Sequence, residues 1–139
     1  MTFVEPSLAV QKALHALLTA SATVTALIPA SNIVDRSARP EVFPCCIIGD
    51  GTTVNESRSF PRRHYCVISD LHIWTKEGGF QGAKTAAGAV IGALGNCLLP
   101  LDDCRCVDSQ VARTRFMRDP VGDFAHVVVT LEALVEVPA

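Results

Sequence analysis

Six cysteines and four histidines are the residues in this 139-residue chain most suited to binding a metal or supplying a nucleophile. Structural zinc sites are usually built from paired Cys-x-x-Cys knuckles in loops. Here Cys45 and Cys46 are adjacent, so on a strand their thiols would face opposite ways. Cys104 and Cys106 would share a face, but no second Cys or His pair stands at a usual ligand spacing. Cysteine behaves mainly as a small buried hydrophobe, and six structural, reduced thiols are expected, with no bound metal. His64, Cys66 and His72 would share one strand face. Catalytic Cys–His partners meet only in the fold, however, and no local signature surrounds Cys66. Structural or exposed histidines are the expectation. The chain has no Gly-x-Ser-x-Gly elbow and no His-Glu-x-x-His. Gly49-Asp50-Gly51-Thr52-Thr53 lacks the lysine and the following helix of a phosphate cradle. These residues therefore predict no catalytic group, no cofactor and no enzymatic turnover.

The elements that would position such residues follow from periodicity. Val10, Ala13, Leu14, Leu17 and Leu18 have the spacing of one apolar helix face, with Pro6 suited to the first turn. Ser21 predicts the cap of a second short helix carrying Val24, Leu27 and Ile28, which Pro29 ends. Four strands are expected: Phe43–Gly49, His64–Thr75, Arg105–Arg118 and a last one from Ala125 to Val137. In the second, Tyr65, Val67, Ser69, Leu71 and Ile73 alternate with His64, Cys66, Ile68, Asp70, His72 and Trp74. Alternate positions from Ala125 to Val137 form the strongest apolar stripe. Asp119-Pro120-Val121-Gly122-Asp123 reads as the turn of a long antiparallel hairpin, because proline presets φ, glycine accepts positive φ and aspartate bonds nearby backbone. Gln81 to Leu98 has a helical pattern in which Gly88 and Gly92 lie four apart. Close packing of that helix on the sheet, or contact with a neighbouring chain, would each explain the pair. The order α-α-β-β-α-β-β predicts an α+β domain spanning residues 1–139: an antiparallel sheet of four strands or slightly more, with helices packed on one face.

Between the first two expected strands, Asp50 to Arg63 is polar except for Val54, Phe60 and Pro61, and carries Arg58, Arg62 and Arg63. Hairpins normally close in about 2 to 5 residues, so a longer connection is often functional. Two readings stand: a solvated loop, or an arm that orders against a partner through Phe60 and its arginines, the composition of interface anchors. Arg113 and Arg115, joined by Arg118 as the register drifts, would line one face of the third strand. A charged edge that blocks unwanted strand pairing explains them equally well.

Composition narrows the classes further. Hydrophobic residues make up 49% of the chain and charged ones 19%, a balance that excludes intrinsic disorder and suggests apolar surface meant for another subunit. Twelve Lys and Arg against fourteen Asp and Glu give a net charge of −2, whereas free-standing nucleic-acid binders are usually basic. The apolar run Ala86–Gly95 is half the roughly 20 residues a membrane span needs. The start, Met1-Thr-Phe-Val-Glu-Pro, lacks the pattern of a signal peptide. A soluble protein made in the cytoplasm is expected, with reduced thiols.

Taken in order, the pieces resemble the small tail-completion, or tail-terminator, proteins of long-tailed bacteriophages, prophages and gene transfer agents. The resemblance runs through the helix Leu8–Leu18, the piece Ser21–Ile28 and Asn32-Ile33-Val34-Asp35. It continues through Phe43-Pro44-Cys45-Cys46-Ile47-Ile48-Gly49, which is similar to the family's Phe-Pro-x-φ-x-φ-Gly strand. Leu71-His72-Ile73-Trp74-Thr75 is similar to its φ-x-φ-Trp-Ser/Thr ending. A glycine break, an alanine-rich helix and the Asp119–Gly122 hairpin complete the series. The adjacent cysteines in the Phe-Pro strand depart from the family pattern.

The resemblance implies a structural subunit that forms a ring, six-fold in the family, on the head-proximal end of a tail tube. Such a ring stops tube growth and meets the head connector, with DNA passing through its lumen without specific binding. The implied partners are the chain itself, the tail-tube protein and the head-completion or connector protein, with no membrane. The implied location is the head–tail junction of a phage-like particle. Trp74 becomes a candidate anchor of the ring interface beside Arg58, Phe60, Arg62 and Arg63; a core aromatic near the sheet edge is its simpler role. Two other classes stay open at this stage: a monomeric binding or inhibitor module of the same fold class, and a small thiol enzyme with a perturbed cysteine near a histidine.

Overall fold

The computed structural model describes residues 3–35, 40–58, 62–95, 98–119 and 121–138. Helix α1 spans Pro6–Ala20, with proline in its first turn and Glu5 as its cap, the Glu5 carboxylate accepting from Ser7 N at 3.2 Å. Its buried stripe is Val10, Ala13, Leu14 and Leu18, as the spacing predicts. Ser21 caps α2, its hydroxyl accepting from Val24 N at 3.3 Å. This helix is shorter than the pattern suggests and covers only Ala22–Thr25. Pro29 follows, leading into a short turn and strand β1, Ile33–Val34.

The remaining elements are β2 (Cys45–Asn55), β3 (His64–Lys76), α3 (Gln81–Gly95), β4 (Arg105–Arg118) and β5 (Phe124–Glu136). They make a five-stranded sheet in the order β1-β2-β3-β5-β4. β1 runs parallel to β2 and the other neighbours are antiparallel, so the sheet is mixed rather than wholly antiparallel. A two-residue strand shows no alternation, which hides it from a periodicity argument. The α+β class, with helices on one face, stands.

The core lies between that face and the helices. From β3 it takes Val67, Leu71 and Ile73, and from β5 it takes Ala125, Val127, Val129, Leu131, Ala133 and Val135. From α3 it takes Ala83, Ala86, Ala87, Val90 and Leu94. Each fully buried valine, leucine or isoleucine among them contributes roughly 1.5 to 3 kcal/mol, and each alanine less. Gly88 and Gly92 face away from the sheet, and a Cβ added at either would meet nothing within 4 Å. Close packing on the sheet does not explain them; the alanines make that contact instead.

The β4–β5 hairpin closes as its turn chemistry predicts. Gly122 has φ 88°, Asp119 Oδ1 accepts from Val121 N at 2.9 Å, and Asp119 N donates to Phe124 O at 3.2 Å. Pro120 lies outside the described residues. Among the described residues no helix is long and apolar enough to cross a membrane.

Candidate assembly interface

The period of a strand puts the even-numbered residues of β3 and β5 on the face away from the helices. His64, Cys66, Ile68, Asp70, His72 and Trp74 come from β3, and His126, Val128, Thr130, Glu132, Leu134 and Glu136 from β5. Val128 and Thr130 are buried even here, and most of the others are half-buried. At one end the register sets Trp74 opposite His126. Their rings stack at 3.9 Å with an interplanar angle of 9°. His72 meets His126 edge to edge, ring centres 5.1 Å apart, with His72 Nδ1 and His126 Nε2 separated by 2.8 Å. Gly49 makes this possible, since a Cβ there would lie 2.6 Å from the His72 ring. Burial pushes His126 down to about 4, helped by the nearby His72 and Arg115 charges. At neutral pH the His126 ring is therefore uncharged. In the middle of the face Thr130 donates to Asp70 at 2.7 Å.

The far end carries an ionic hub. Glu136 meets Arg63 and Arg105 at 3.4 Å and His64 at 3.2 Å. Hydrogen bonding from Arg105, with the surrounding positive charge, holds the Glu136 carboxyl below its ordinary value. Arg63 also donates to Val137 O at 3.2 Å, and Val137 N donates back to Arg63 O at 2.8 Å. This residue is a clasp on the end of β5. As an interface anchor it would first have to leave Glu136.

Strand β2 continues through Asn55. The connection to β3 is thus shorter than a loop beginning at Asp50. The correction has a physical reason: Gly51 to Asn55 are exposed, so neither face shows an apolar alternation. Within the connection Ser57 N donates to Asn55 Oδ1 at 2.9 Å, and Ser57 Oγ both donates to His64 O and accepts from His64 N. Arg58 and Arg62 are exposed. Phe60 and Pro61 lie outside the described residues. Trp74 is absent from the core and belongs to the helix-free face. Of the described residues, Arg63 sits by the hub just before β3, and Trp74 lies near the other end of that strand. Arg118 is also separated from Arg113 and Arg115. It pairs with Ala125 on the helix side, packs 5.0 Å from the Phe80 ring and donates to Gly78 O. The ladder from Arg113 to Arg118 is regular, so the strand period alone turns position 118 to the face opposite 113 and 115.

Sequence reasoning misses His126 and Glu136. Alternation places them on the polar side of the last strand, but their partners depend on a register across 54 and 73 residues.

Four of the described thiols are held protonated by burial. Burial raises Cys46 to about 12 and Cys45 to about 11, and it also raises Cys66 and Cys104. Among the described residues no group of three or more His, Cys, Asp or Glu side chains is placed to hold a metal.

Known proteins share this architecture. The family profile described as Tail completion protein gp17 matches residues 12–136. A chain from the virion of a native gene transfer agent (GTA) particle is 26% identical, with TM-score 0.81, covering 92% of this chain and 95% of that one. The gp17 protein of bacteriophage SPP1 shares the fold at 19% identity and TM-score 0.60, covering 91% of this chain and 88% of that one. Among curated proteins, none matches. The profile spans both the helical start and the whole sheet, and on that extent the chain belongs to the tail completion protein gp17 family.

Proposed function

We propose that this chain is the tail terminator of a phage-like particle, a structural subunit without catalytic activity. Copies close into a ring, most simply a hexamer, on the head-proximal end of the tail tube. The ring stops tube growth, offers its other side to the head connector and lets DNA through its lumen. The observation that carries this reading is the agreement of fold over nearly the whole length with a chain of a gene transfer agent virion. The helix-free face supports it, since its half-buried Ile68, Trp74 and Leu134 are the kind of surface a subunit contact covers. A net charge of −2 suits a lumen through which DNA slides, because many lysines would hold phosphates through counterion release. Exposed Arg58 and Arg62 frame a loop that can order against the tube or the connector. Synthesis would be cytoplasmic, with incorporation at the head–tail junction. Deleting the gene in producing cells and imaging the particles tests this directly. Tails that overgrow or fail to join heads, rescued by the intact gene, are expected. Normal joined particles without the protein would overturn the assignment.

A further inference from the structure

We propose that neighbouring copies join edge to edge, with the Arg113–Arg118 half of β4 in one copy pairing antiparallel with Gly51–Asn55 of β2 in the next. This inference rests on the ring reading above and names the contact that would close it. Among the described residues the sheet has two free edges. β4 is an outer strand along its 14 residues. On the other side β1 pairs only with Cys46 and Ile47, so Gly51–Asn55 has no outer strand among the described residues. Such rows of unpaired N–H and C=O groups are templates for another strand.

The two edges match in length and direction, and in charge at the end where Arg113 comes toward Glu56. Both bulges of β4 fall before Arg113, between Cys106 and Asp108 and between Val111 and Arg113. The remaining ladder, Arg113–Arg118, is regular and about as long as the free part of β2. Successive antiparallel pairs β2–β3, β3–β5 and β5–β4 leave β2 and β4 running oppositely. Rotation about an axis along the strands preserves strand direction, so β4 meets the next β2 antiparallel in every copy. That is a heterologous contact of the sort that closes rings.

Gly51–Asn55 is flanked by the exposed carboxylates Asp50 and Glu56, with Glu5 held beside it by a 3.0 Å bond from Thr53. The facing half of β4 carries exposed Arg113 and Arg115. Both lie on the helix-free face, as do Thr52 and Val54. In the antiparallel sense Arg113 comes toward Glu56, and the strand then runs on toward Asp50. Val54, 40% exposed, is covered by the pairing.

Charge reversal tests the pairing. Arg113→Glu with Arg115→Glu makes both edges acidic, and Asp50→Lys with Glu56→Lys makes both basic. Each variant is made as the sole copy in producing cells, checked for fold by circular dichroism, and its particles are imaged by cryo-electron microscopy. Each alone should lose most rings and joined particles. All four changes in one chain should restore them, and co-expressing the two variants should restore alternating rings of even number. If the wild type forms rings and these reversals leave them intact, the edge pairing is wrong and the ring reading survives. If the reversals abolish rings and neither combination restores them, the pairing is also wrong, and the arginines are better read as a guard on a free edge. A wild type that forms no ring in the particle would remove the ring reading and this inference together.

Discussion

Acid should weaken the fold through His126 before Glu5 and Glu77 titrate. The ring is half-buried, stacked on Trp74 and in contact with His72 through a ring nitrogen, with Arg115 nearby and Asp119 opposing them, and its proton affinity falls to about 4. The unfolded chain takes up that proton near the usual value of 6.5. Between the two values the unfolded state binds more protons, so stability is intact above about 6.5 and declines as pH falls toward 4. A gap of roughly 2.5 units at about 1.36 kcal/mol each sets a ceiling near 3.4 kcal/mol. Part of the ring is open to water, and screening leaves about 1.5 kcal/mol. For a chain of this size that is a drop of about 5 °C in Tm. Glu77 and Glu5 act later. Thr75 and the Gly82 and Ala83 amides hold Glu77 down, while for Glu5 bonds from Ser7 and Thr53 outweigh burial. Both therefore protonate below 4.5. Urea unfolding from about pH 7 to about pH 4.5 would be measured for the wild type and for His126→Phe, which keeps a ring on Trp74 but carries no proton. The variant should be flat where the wild type loses stability. Equal slopes would refute the assignment to His126.

Glu77→Ala removes the carboxylate that accepts from Gly82 N at 2.9 Å and Ala83 N at 3.0 Å, and should cost about 1 kcal/mol in unfolding free energy as a lost helix cap. Iodoacetamide at neutral pH should leave Cys45 and Cys46 unmodified in the folded protein and label them in denaturant, as read by peptide mass spectrometry, because burial holds both thiols protonated. Phe60→Ala with Arg58→Ala should leave the subunit folded, as read by circular dichroism and thermal melting, while lowering the number of joined particles counted by electron microscopy. Unchanged particle numbers with a shortened loop would make that connection a tether.

Legibility follows burial. β3 and β5 bury one face of each strand under helices, so Val67, Leu71, Val129 and Leu131 print a clean alternation and their strands can be placed closely. The Asp119–Gly122 turn is readable because its chemistry is local. Gly51–Asn55 reads as loop, since an exposed edge strand needs no apolar pattern at all. The Gly88–Gly92 pair misleads because small residues look alike whether they face a sheet or water. Trp74 is visible as a candidate, but its stack on His126 depends on the β3–β5 register, which no local pattern encodes. Arg63 is visible as a charge, and its attachment to Glu136 comes only with the fold.

Cryo-electron microscopy of the intact particle, with this chain located by its density, tests the central claim most directly. A closed ring of copies is expected between the last tube ring and the head connector, with an open channel on its axis. Density for the chain elsewhere in the particle, or as a single copy off the axis, would contradict it.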